Sequence, residues 1–342
     1  MRILGLETSC DDTSASFFDS QSGVRSMVLS SQELFHQKYG GIVPEIASRK
    51  HLEVLPWVAE HALAEAKASW EDIDLIAVTH GPGLVGSLLV GVDYAKTLAM
   101  ILEKPIVAVN HLEGHLLSPL IENPEIGFPF LGIIISGGHT EFILVNSIGD
   151  FQKIAETVDD ACGEALDKFG KLIGISYPAG PSIEKLAQKG NPNSFAFPLP
   201  KIKKSTFALS FSGLKTSAML TLQSMNPDTV NKEMANLAAS YQHALFNQIA
   251  VVTKRILKKI PVKAITLSGG VAANQTLRDL LSQSIALPFF FPGRSLCTDN
   301  ASMIAFAGYH QYKIRGADSL CFPVVSRLSI RSIDKAIYDE VN

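Results

Sequence analysis

Surplus positive charge is missing from this sequence: 30 lysines and arginines stand against 33 aspartates and glutamates, a formal net charge of −3. Binding nucleic acid by bulk electrostatics needs a basic surface that neutralises phosphates, so any such partner would have to be held by local patches or by another subunit. Cysteine is scarce too. Cys10, Cys162, Cys297 and Cys321 lie far apart with no CxxC pair, which argues against a disulfide framework or a cysteine zinc knuckle and fits a reducing cytoplasm. The opening run Met1-Arg2-Ile3-Leu4-Gly5-Leu6-Glu7 meets an acid too early for a secretory leader. A spanning helix needs about 20 apolar residues; the nearest stretch, Leu84 to Leu102, carries Asp93, Lys96, Gly86 and Gly91 and reads as a buried helix. No membrane partner is expected.

What remains is the profile of a compact globular chain, 46% hydrophobic and 18% charged over 342 residues, enough for two domains. Ile3 to Glu7 reads as a buried strand, Ser9 to Asp12 as a polar turn and Ser14 to Phe18 as the returning strand of a hairpin. A third strand near Val24 to Leu29 precedes a helix from Pro44 through His61, proline suiting the first helical turn. Leu75 to Thr79 then runs through a glycine turn into a long helix from about Val85. The second half repeats that opening, with strands at Leu131 to Ser136 and Thr140 to Val145 around Gly137-Gly138-His139, so an internal duplication of an α/β unit is expected. Helices follow at about Ala161 to Leu172, Gly213 to Ser224 and Lys232 to Lys259. The strand Ala264 to Leu267 leads through a turn to a helix from Ala272 to Gln283. Gly190 to Ser205, rich in proline, asparagine and lysine, reads as a surface loop.

The sharpest chemical signal is His111-Leu112-Glu113-Gly114-His115. Histidines four apart on a helix are offset by about 40° and face the same way, so both can reach one ion; alternatively they pack or cap the helix start after Asn110. Asp299, in Cys297-Thr298-Asp299-Asn300, is the candidate third ligand or else an N-cap. Glu113 sits about 200° round the helix from His111, unlike the general base of HExxH peptidases, so the pair brings no peptidase chemistry. Three glycine turns after strands, His80 to Gly83, Ser136 to Thr140 and Ser268 to Val271, offer backbone N–H groups without Cβ obstruction. With the Asp-rich hairpin they suggest a nucleotide clamped between two lobes. Asp160, Glu164 and Asp167 share a helical face, solvated or functional, ahead of the rigid turn Tyr177-Pro178-Ala179-Gly180-Pro181.

These motifs resemble one family. Glu7 to Thr13, Gly81 to Leu88, His111 to His115, Ser136 to Thr140, Ser210 to Thr216, Gly269 to Asn274 and Cys297 to Asn300 run in order, up to about Gly308, as in the tRNA N6-adenosine threonylcarbamoyltransferases. HLEGH together with SGGHT is similar to the bacterial branch. The resemblance implies an α/β chain with a duplicated actin-like, Hsp70-like (ASKHA) fold of two lobes around a central cleft. One lobe would cover residues 1–128, completed by about 300–342, and the other 129–299 with helical insertions. It implies transfer of a threonylcarbamoyl group from threonylcarbamoyl-AMP to N6 of adenosine 37, next to the anticodon, in tRNAs reading codons that begin with A. By the same match His111, His115 and Asp299 would hold one divalent ion, iron or zinc. Asp11 and Asp12 would be catalytic, and Ile134, Ile135, Ser136, Gly137, Gly138, His139, Asp167, Gly180, Glu184 and Asn274 would contact the adenylate. The implied partners are tRNA, a degenerate TsaB-like paralogue as heterodimer partner, a small TsaE-like ATPase and a separate enzyme that makes the adenylate.

Three features depart from the family pattern. Asp12 stands where glutamate is usual, Ala179 replaces the first glycine of YPGGP, and Val324 to Leu328 lacks the usual Arg-Pro-Arg-Trp. For RNA, Lys201, Lys203, Lys204 and Lys215 flank the loop, and Lys254, Arg255, Lys258 and Lys259 cluster at a helix end, as docking charge or as dipole partners. The rival readings are a small-molecule kinase or ATPase of the same fold class, which calls for a magnesium site of carboxylates and waters, a metallopeptidase, and a non-catalytic scaffold.

Overall fold

The computed structural model of the chain describes residues 1–198 and 207–331. Strands β1 (Arg2–Glu7), β2 (Asp12–Asp19) and β3 (Gly23–Ser31) come first, then helices α1 (Glu33–Gln37) and α2 (Pro44–Ala66). Next are β4 (Leu75–Gly81), α3 (Val85–Leu102), β5 (Ile106–Asn110), α4 (His111–Leu117) and α5 (Pro119–Glu122). The chain continues through β6 (Phe130–Ile135), β7 (Thr140–Ser147), β8 (Asp150–Glu156), α6 (Cys162–Leu172), α7 (Gly180–Ala187), α8 (Ser212–Gln223) and α9 (Pro227–Leu257). It ends with β9 (Ala264–Ser268), α10 (Gln275–Ser284), β10 (Phe289–Phe290), α11 (Arg294–Cys297) and α12 (Ala301–Arg315). Two compact units result: residues 1–126 with 145–152 and 292–342, and residues 127–144 with 153–291.

Two five-stranded sheets lie among the described residues, in the orders β3-β2-β1-β4-β5 and β8-β7-β6-β9-β10. Adding five to each strand number of the first gives the second, so the expected duplication of an actin-like α/β fold is present in the strand order itself. In the first sheet β1 is antiparallel to β2 and parallel to β4, which is parallel to β5. Strands covered on both faces are apolar along their length, and Ile3, Leu4, Leu6, Ile76 and Val78 are fully buried. Parallel pairing also aligns the carboxyl ends of β1, β4 and β5, where ligands gather in α/β sheets. Glu7, Gly81 and Asn110 mark that edge.

Helix α12 brings the chain back to the first sheet. A Cβ on Gly5 would lie 2.3 Å from the Ala301 carbonyl oxygen and one on Gly308 2.4 Å from the Ala77 Cβ, so only glycine lets helix and strands approach so closely. The Ala301 amide donates to Ser14 Oγ at 3.1 Å, and Ser14 pairs with Glu7 across the β1–β2 ladder. The residues just before α12 are thereby delivered to the edge where β1 ends. Helix α3 lays Leu88, Val92, Ala95 and Ala99 into the core. It is one-face buried, and it is the helix among the described residues long and apolar enough to cross a membrane.

Several boundaries differ from the sequence reading for local reasons. Helix α2 continues past His61 to Ala66, where Lys67 adopts a left-handed cap at φ 55°. Helix α9 begins at Pro227 rather than Lys232, because Asn226 caps it by accepting from the Thr229 amide. The helix expected from Ala272 is a 3₁₀ turn over Gly270–Ala273 followed by α10, which Asn274 caps at the Leu277 amide. Of the expected loop, residues 190–198 are tied down at Asn191 and Phe195, through Asn236 and Ser240, while 199–205 lie outside the described residues, as do Lys201, Lys203 and Lys204.

Candidate metal centre and ligand turns

Asn110 at the end of β5 accepts from the Leu112 and Glu113 amides and so starts α4 at His111. The helix then sets the two imidazoles edge to face, centroids 4.7 Å apart. His111 Nε2 and His115 Nε2 lie 3.4 and 2.9 Å from the same atom, Asp299 Oδ1. The bland reading of Asp299 as an N-cap does not hold, since Asn300 caps α12 by accepting from the Met303 amide. Two imidazole nitrogens and a carboxylate oxygen, all within 4.8 Å of one another, form a donor set that suits a divalent ion such as iron or zinc. A divalent ion bound there would be the local Lewis acid.

His111 is held from its other side as well. Its Nδ1 is 3.0 Å from Glu7 Oε2 and 3.1 Å from Ser9 Oγ. Glu7, fully buried, also accepts from the Ser9 amide at 2.5 Å and from the Thr79 hydroxyl at 2.6 Å. The sequence reading placed Glu7 in a strand and a family motif and Thr79 in a strand but gave neither a role at the site; a buried acid ending an otherwise apolar strand was the visible signal. Burial opposes charge on His111, but Asp299 and Glu7 beside it lift its imidazole well above the usual range, and burial opposes charge on Glu7, whose carboxyl His111 nonetheless holds below the usual range. Burial works likewise on Asp299, and His111 and His115 nonetheless hold its carboxyl well below normal. His115 Nδ1 is buried with no partner among the described residues.

The other carboxylates behave differently. Burial raises Asp11, with the Asp299 charge adding to it. Asp12 is pushed up to about 7, chiefly by burial and then by the charges of Asp299, Asp11 and Glu7 against a Ser31 hydrogen bond; its Oδ1 is buried without a partner among the described residues. Glu113 is buried on the far side of α4 and accepts from Gln311 Nε2 at 2.6 Å. It belongs to the packing against α12, as its helical phase foretold.

In the second unit Ile134 and Ile135 are fully buried in β6, so what they can offer a ligand is backbone. Beyond them the Ser136–His139 turn closes through Ser136 N to His139 O at 2.8 Å and His139 N to Ser136 Oγ at 3.0 Å. Gly137 and Gly138 are exposed, and a Cβ on either would meet nothing within 4 Å. The β9 turn packs against the end of β6: Gly269, at φ 89°, has no room for a Cβ, which would stand 2.5 Å from the Ile135 oxygen. Asn274 donates to Gln242 Oε1 at 3.1 Å while capping α10, and the neighbouring Gln275 amide donates to Glu184 Oε1 at 2.7 Å. Asp167 accepts from the Ala179 amide at 2.7 Å, which together with the Gly180 amide only partly offsets the upward push of burial on its carboxyl. Ala179 has ordinary right-handed backbone and a buried methyl against Gly170, so alanine fits there without disturbing Gly180. Asp160 and Glu164 pair with Lys168, which separates them from Asp167.

The first glycine turn is not open. A Cβ on Gly81 would lie 2.2 Å from the Val325 oxygen and one on Gly83 2.5 Å from the Ser9 oxygen. Gly83 N donates to Ser326 O, and Val325 N donates to His80 O, so the carboxyl-terminal segment occupies what the sequence offered as a ligand turn.

Comparison with known proteins gives the family and the fold. Residues 23–306 match the family model described as TsaD, tRNA N6-adenosine threonylcarbamoyltransferase. A protein of that name from Thermosipho africanus is 45% identical over 316 residues, covering 92% of this chain and 95% of the relative. Another from Ralstonia pickettii is 44% identical over 314 residues, covering 90% of each. Among solved structures, HypF from T. kodakarensis superposes with a TM-score of 0.62 at 16% identity over 92% of this chain and 48% of that one, a likeness of fold alone.

Proposed function

The chain belongs to the family of tRNA N6-adenosine threonylcarbamoyltransferases, and we propose that its two sets of site residues divide the work of moving a threonylcarbamoyl group from threonylcarbamoyl-AMP to N6 of adenosine 37. The reaction is an acyl transfer. The N6 amine attacks the carbamoyl carbonyl carbon, the carbon–oxygen bond to phosphate breaks, AMP leaves with the electron pair, and the amine gives up one proton. No covalent intermediate on the enzyme is required.

In this reading the open Ser136–His139 turn, with Gly180, Asp167, Glu184 and Asn274 of the same unit, binds and orients the adenylate. The support is physical: open space lies where a Cβ on Gly137 or Gly138 would stand, while Gly163 packs close behind Gly137, and the amides of such turns suit anionic oxygens. His111, His115 and Asp299 hold a divalent ion, which when bound supplies charge stabilisation to phosphate and carbonyl oxygens. Asp11, a half-buried carboxylate on the hairpin turn, takes the amine proton or orients the amine, and Asp12 supports it one residue further on. Glu113 has no part in this chemistry, which weighs against a peptidase, and two imidazoles in the donor set weigh against a magnesium-dependent kinase.

The finer setting is proposed on the family resemblance: tRNAs reading codons that begin with A, a cytoplasmic location, a degenerate TsaB-like paralogue as heterodimer partner and a TsaE-like ATPase. The observation that carries the reading is the convergence of His111 and His115 on one oxygen of Asp299 within a chain of this family. It is tested by single-turnover transfer of labelled threonine from preformed threonylcarbamoyl-AMP to such a tRNA, with partner subunits added. Wild type labels the adenosine and His111→Ala does not; absence of label with wild type and partners present would return the kinase-like or scaffold reading.

A further inference from the structure

We infer that Glu7 is a positioning residue for the metal centre: with Thr79 and the Ser9 amide it fixes the tautomer and the angle of His111, so that Nε2 alone is presented to the ion. The inference rests on the metal reading above. It starts from hydrogen-bond bookkeeping at one carboxylate. Glu7 Oε1 accepts from the Ser9 amide at 2.5 Å, and Oε2 accepts from the Thr79 hydroxyl at 2.6 Å. A carboxylate held by two donors in this way can only accept a third bond. The third partner is His111 Nδ1, at 3.0 Å from Oε2; a carboxylate oxygen so close calls for the hydrogen on Nδ1, and the Ser9 hydroxyl, 3.1 Å from the same nitrogen, is then left as a second acceptor. The lone pair of a neutral His111 then lies on Nε2, the nitrogen that faces Asp299 Oδ1 at 3.4 Å.

The arrangement is the carboxylate–histidine–metal relay in which an outer acceptor orients a ligating ring and raises its basicity. Three further features favour it over simple core packing. Glu7 ends β1 and Thr79 lies in β4, two parallel neighbours, so the acceptor stands on rigid sheet rather than on a loop. Glu7 is fully buried, an expensive place for a carboxylate unless compensating charge sits close by. His111, His115 and Asp299 would hold a divalent ion, whose two positive charges would balance the negative charges of Asp299 and Glu7. The histidines are also unequal: His115 Nδ1 has no partner among the described residues, so this outer support belongs to His111.

Glu7→Gln is the discriminating change because geometry dictates which way the amide turns. The Ser9 amide still needs an acceptor, so the carbonyl oxygen must stay on the Oε1 side and the NH₂ must face Thr79 and His111. That NH₂ donates to Nδ1 and forces the hydrogen onto Nε2, the wrong tautomer for a ligand. Zinc affinity of the full chain, stripped of metal, is read by competition with a chromogenic chelator, and the visible absorption of the cobalt(II)-loaded chain reports ring geometry. Glu7→Gln is expected to weaken zinc binding by about 10- to 100-fold and to alter the cobalt spectrum. If Glu7→Gln fails to fold, Thr79→Val serves instead, with an expected loss of about fivefold, the worth of one hydrogen bond. Unchanged affinity and spectrum in the folded variant would overturn the role of Glu7 and leave the metal reading standing. Wild type that binds no stoichiometric zinc or cobalt, while His111→Ala behaves the same, would overturn the metal reading and this inference with it.

Discussion

The turn after β4, in the first unit, and the turn after β6, in the other unit, are alike as sequence, each a pair of glycines following a buried strand, yet the fold uses them in opposite ways. Gly81 and Gly83 are roofed by the chain itself, with Val325 and Ser9 oxygens 2.2 and 2.5 Å from where a Cβ would stand. Gly137 and Gly138 face open space. The same duplicated sheet therefore carries two kinds of strand end. In the first unit the strand ends are crowded with side chains, Glu7, His111, His115 and Asp299, that hold one another. In the second unit the turn after β6 leaves the Cβ side of Gly137 and Gly138 open, with Gly163 packed behind Gly137. Glycine in a turn marks close approach, and only the long-range fold says whether a ligand or the chain does the approaching.

The largest effects should separate these two kinds of glycine. Gly269→Ala combines a positive φ with a Cβ 2.5 Å from the Ile135 oxygen, and Gly83→Ala brings a Cβ to 2.5 Å from the Ser9 oxygen; each is expected to cost about 3 kcal/mol of stability, read from denaturant midpoints. Gly137→Ala should change stability by no more than about 0.5 kcal/mol. It should instead weaken binding of threonylcarbamoyl-AMP at least about tenfold, or about 1.4 kcal/mol, measured by calorimetry. A Gly137→Ala protein that loses stability like Gly83→Ala but binds the adenylate normally would erase the contrast.

The contrast also explains what the sequence could and could not convey. The i,i+4 histidines were legible because Asn110 caps the helix and the spacing alone fixes their common face. Asp299 was ambiguous, since ligand and N-cap both place an aspartate before a helix, and the ambiguity ended only when the cap went to Asn300. The duplication showed as a repeated strand–turn–strand opening, and the structure adds that all five strands repeat in order. What stayed hidden depended on partners far along the chain: Val325 over Gly81, Thr79 against Glu7, Gly170 under Ala179. The Ala179 departure loses its strangeness once Gly170 is known as its neighbour, whereas the tail at Val324 to Leu328 meets the glycine turn through backbone hydrogen bonds, which leaves its side chains without a structural explanation.

A smaller effect sharpens the comparison from the first unit's side, where carboxylates crowd the turn. Asp12, ordinarily near 3.8, is raised to about 7 in the folded chain. The folded state thus holds a proton that the unfolded state releases between those values, so this site favours folding fully below pH 4 and loses that contribution as pH rises towards 7. Asp12→Asn, neutral throughout, should match wild type near pH 4 and exceed it at pH 8 by about 1 kcal/mol, a figure reduced from the full linkage value because Asp12 is only partly enclosed. Urea unfolding of the metal-free protein at both pH values checks it. A difference independent of pH would mean that Asp12 is already ionised at pH 4 in the folded chain.

The smallest effect concerns the second unit's surface. Lys254, Arg255, Lys258 and Lys259 are exposed at the carboxyl end of α9, and none of them makes an ion pair among the described residues. As dipole partners they would each be worth about 0.3–1 kcal/mol to the helix and nothing to tRNA. As phosphate contacts they would leave stability nearly untouched, and each lost contact would lower the salt slope of tRNA binding by about 0.9. Reversing Lys254 and Lys258 together to glutamate tells the two apart in one protein, because thermal unfolding reads the first role and the slope of log affinity against log salt reads the second. The expected outcome is a slope shallower by about 1–2 with binding weakened for every tRNA alike. An unchanged slope with a lowered unfolding temperature would reduce the cluster to a helix cap and leave the open Gly137–Gly138 turn as the second unit's ligand surface.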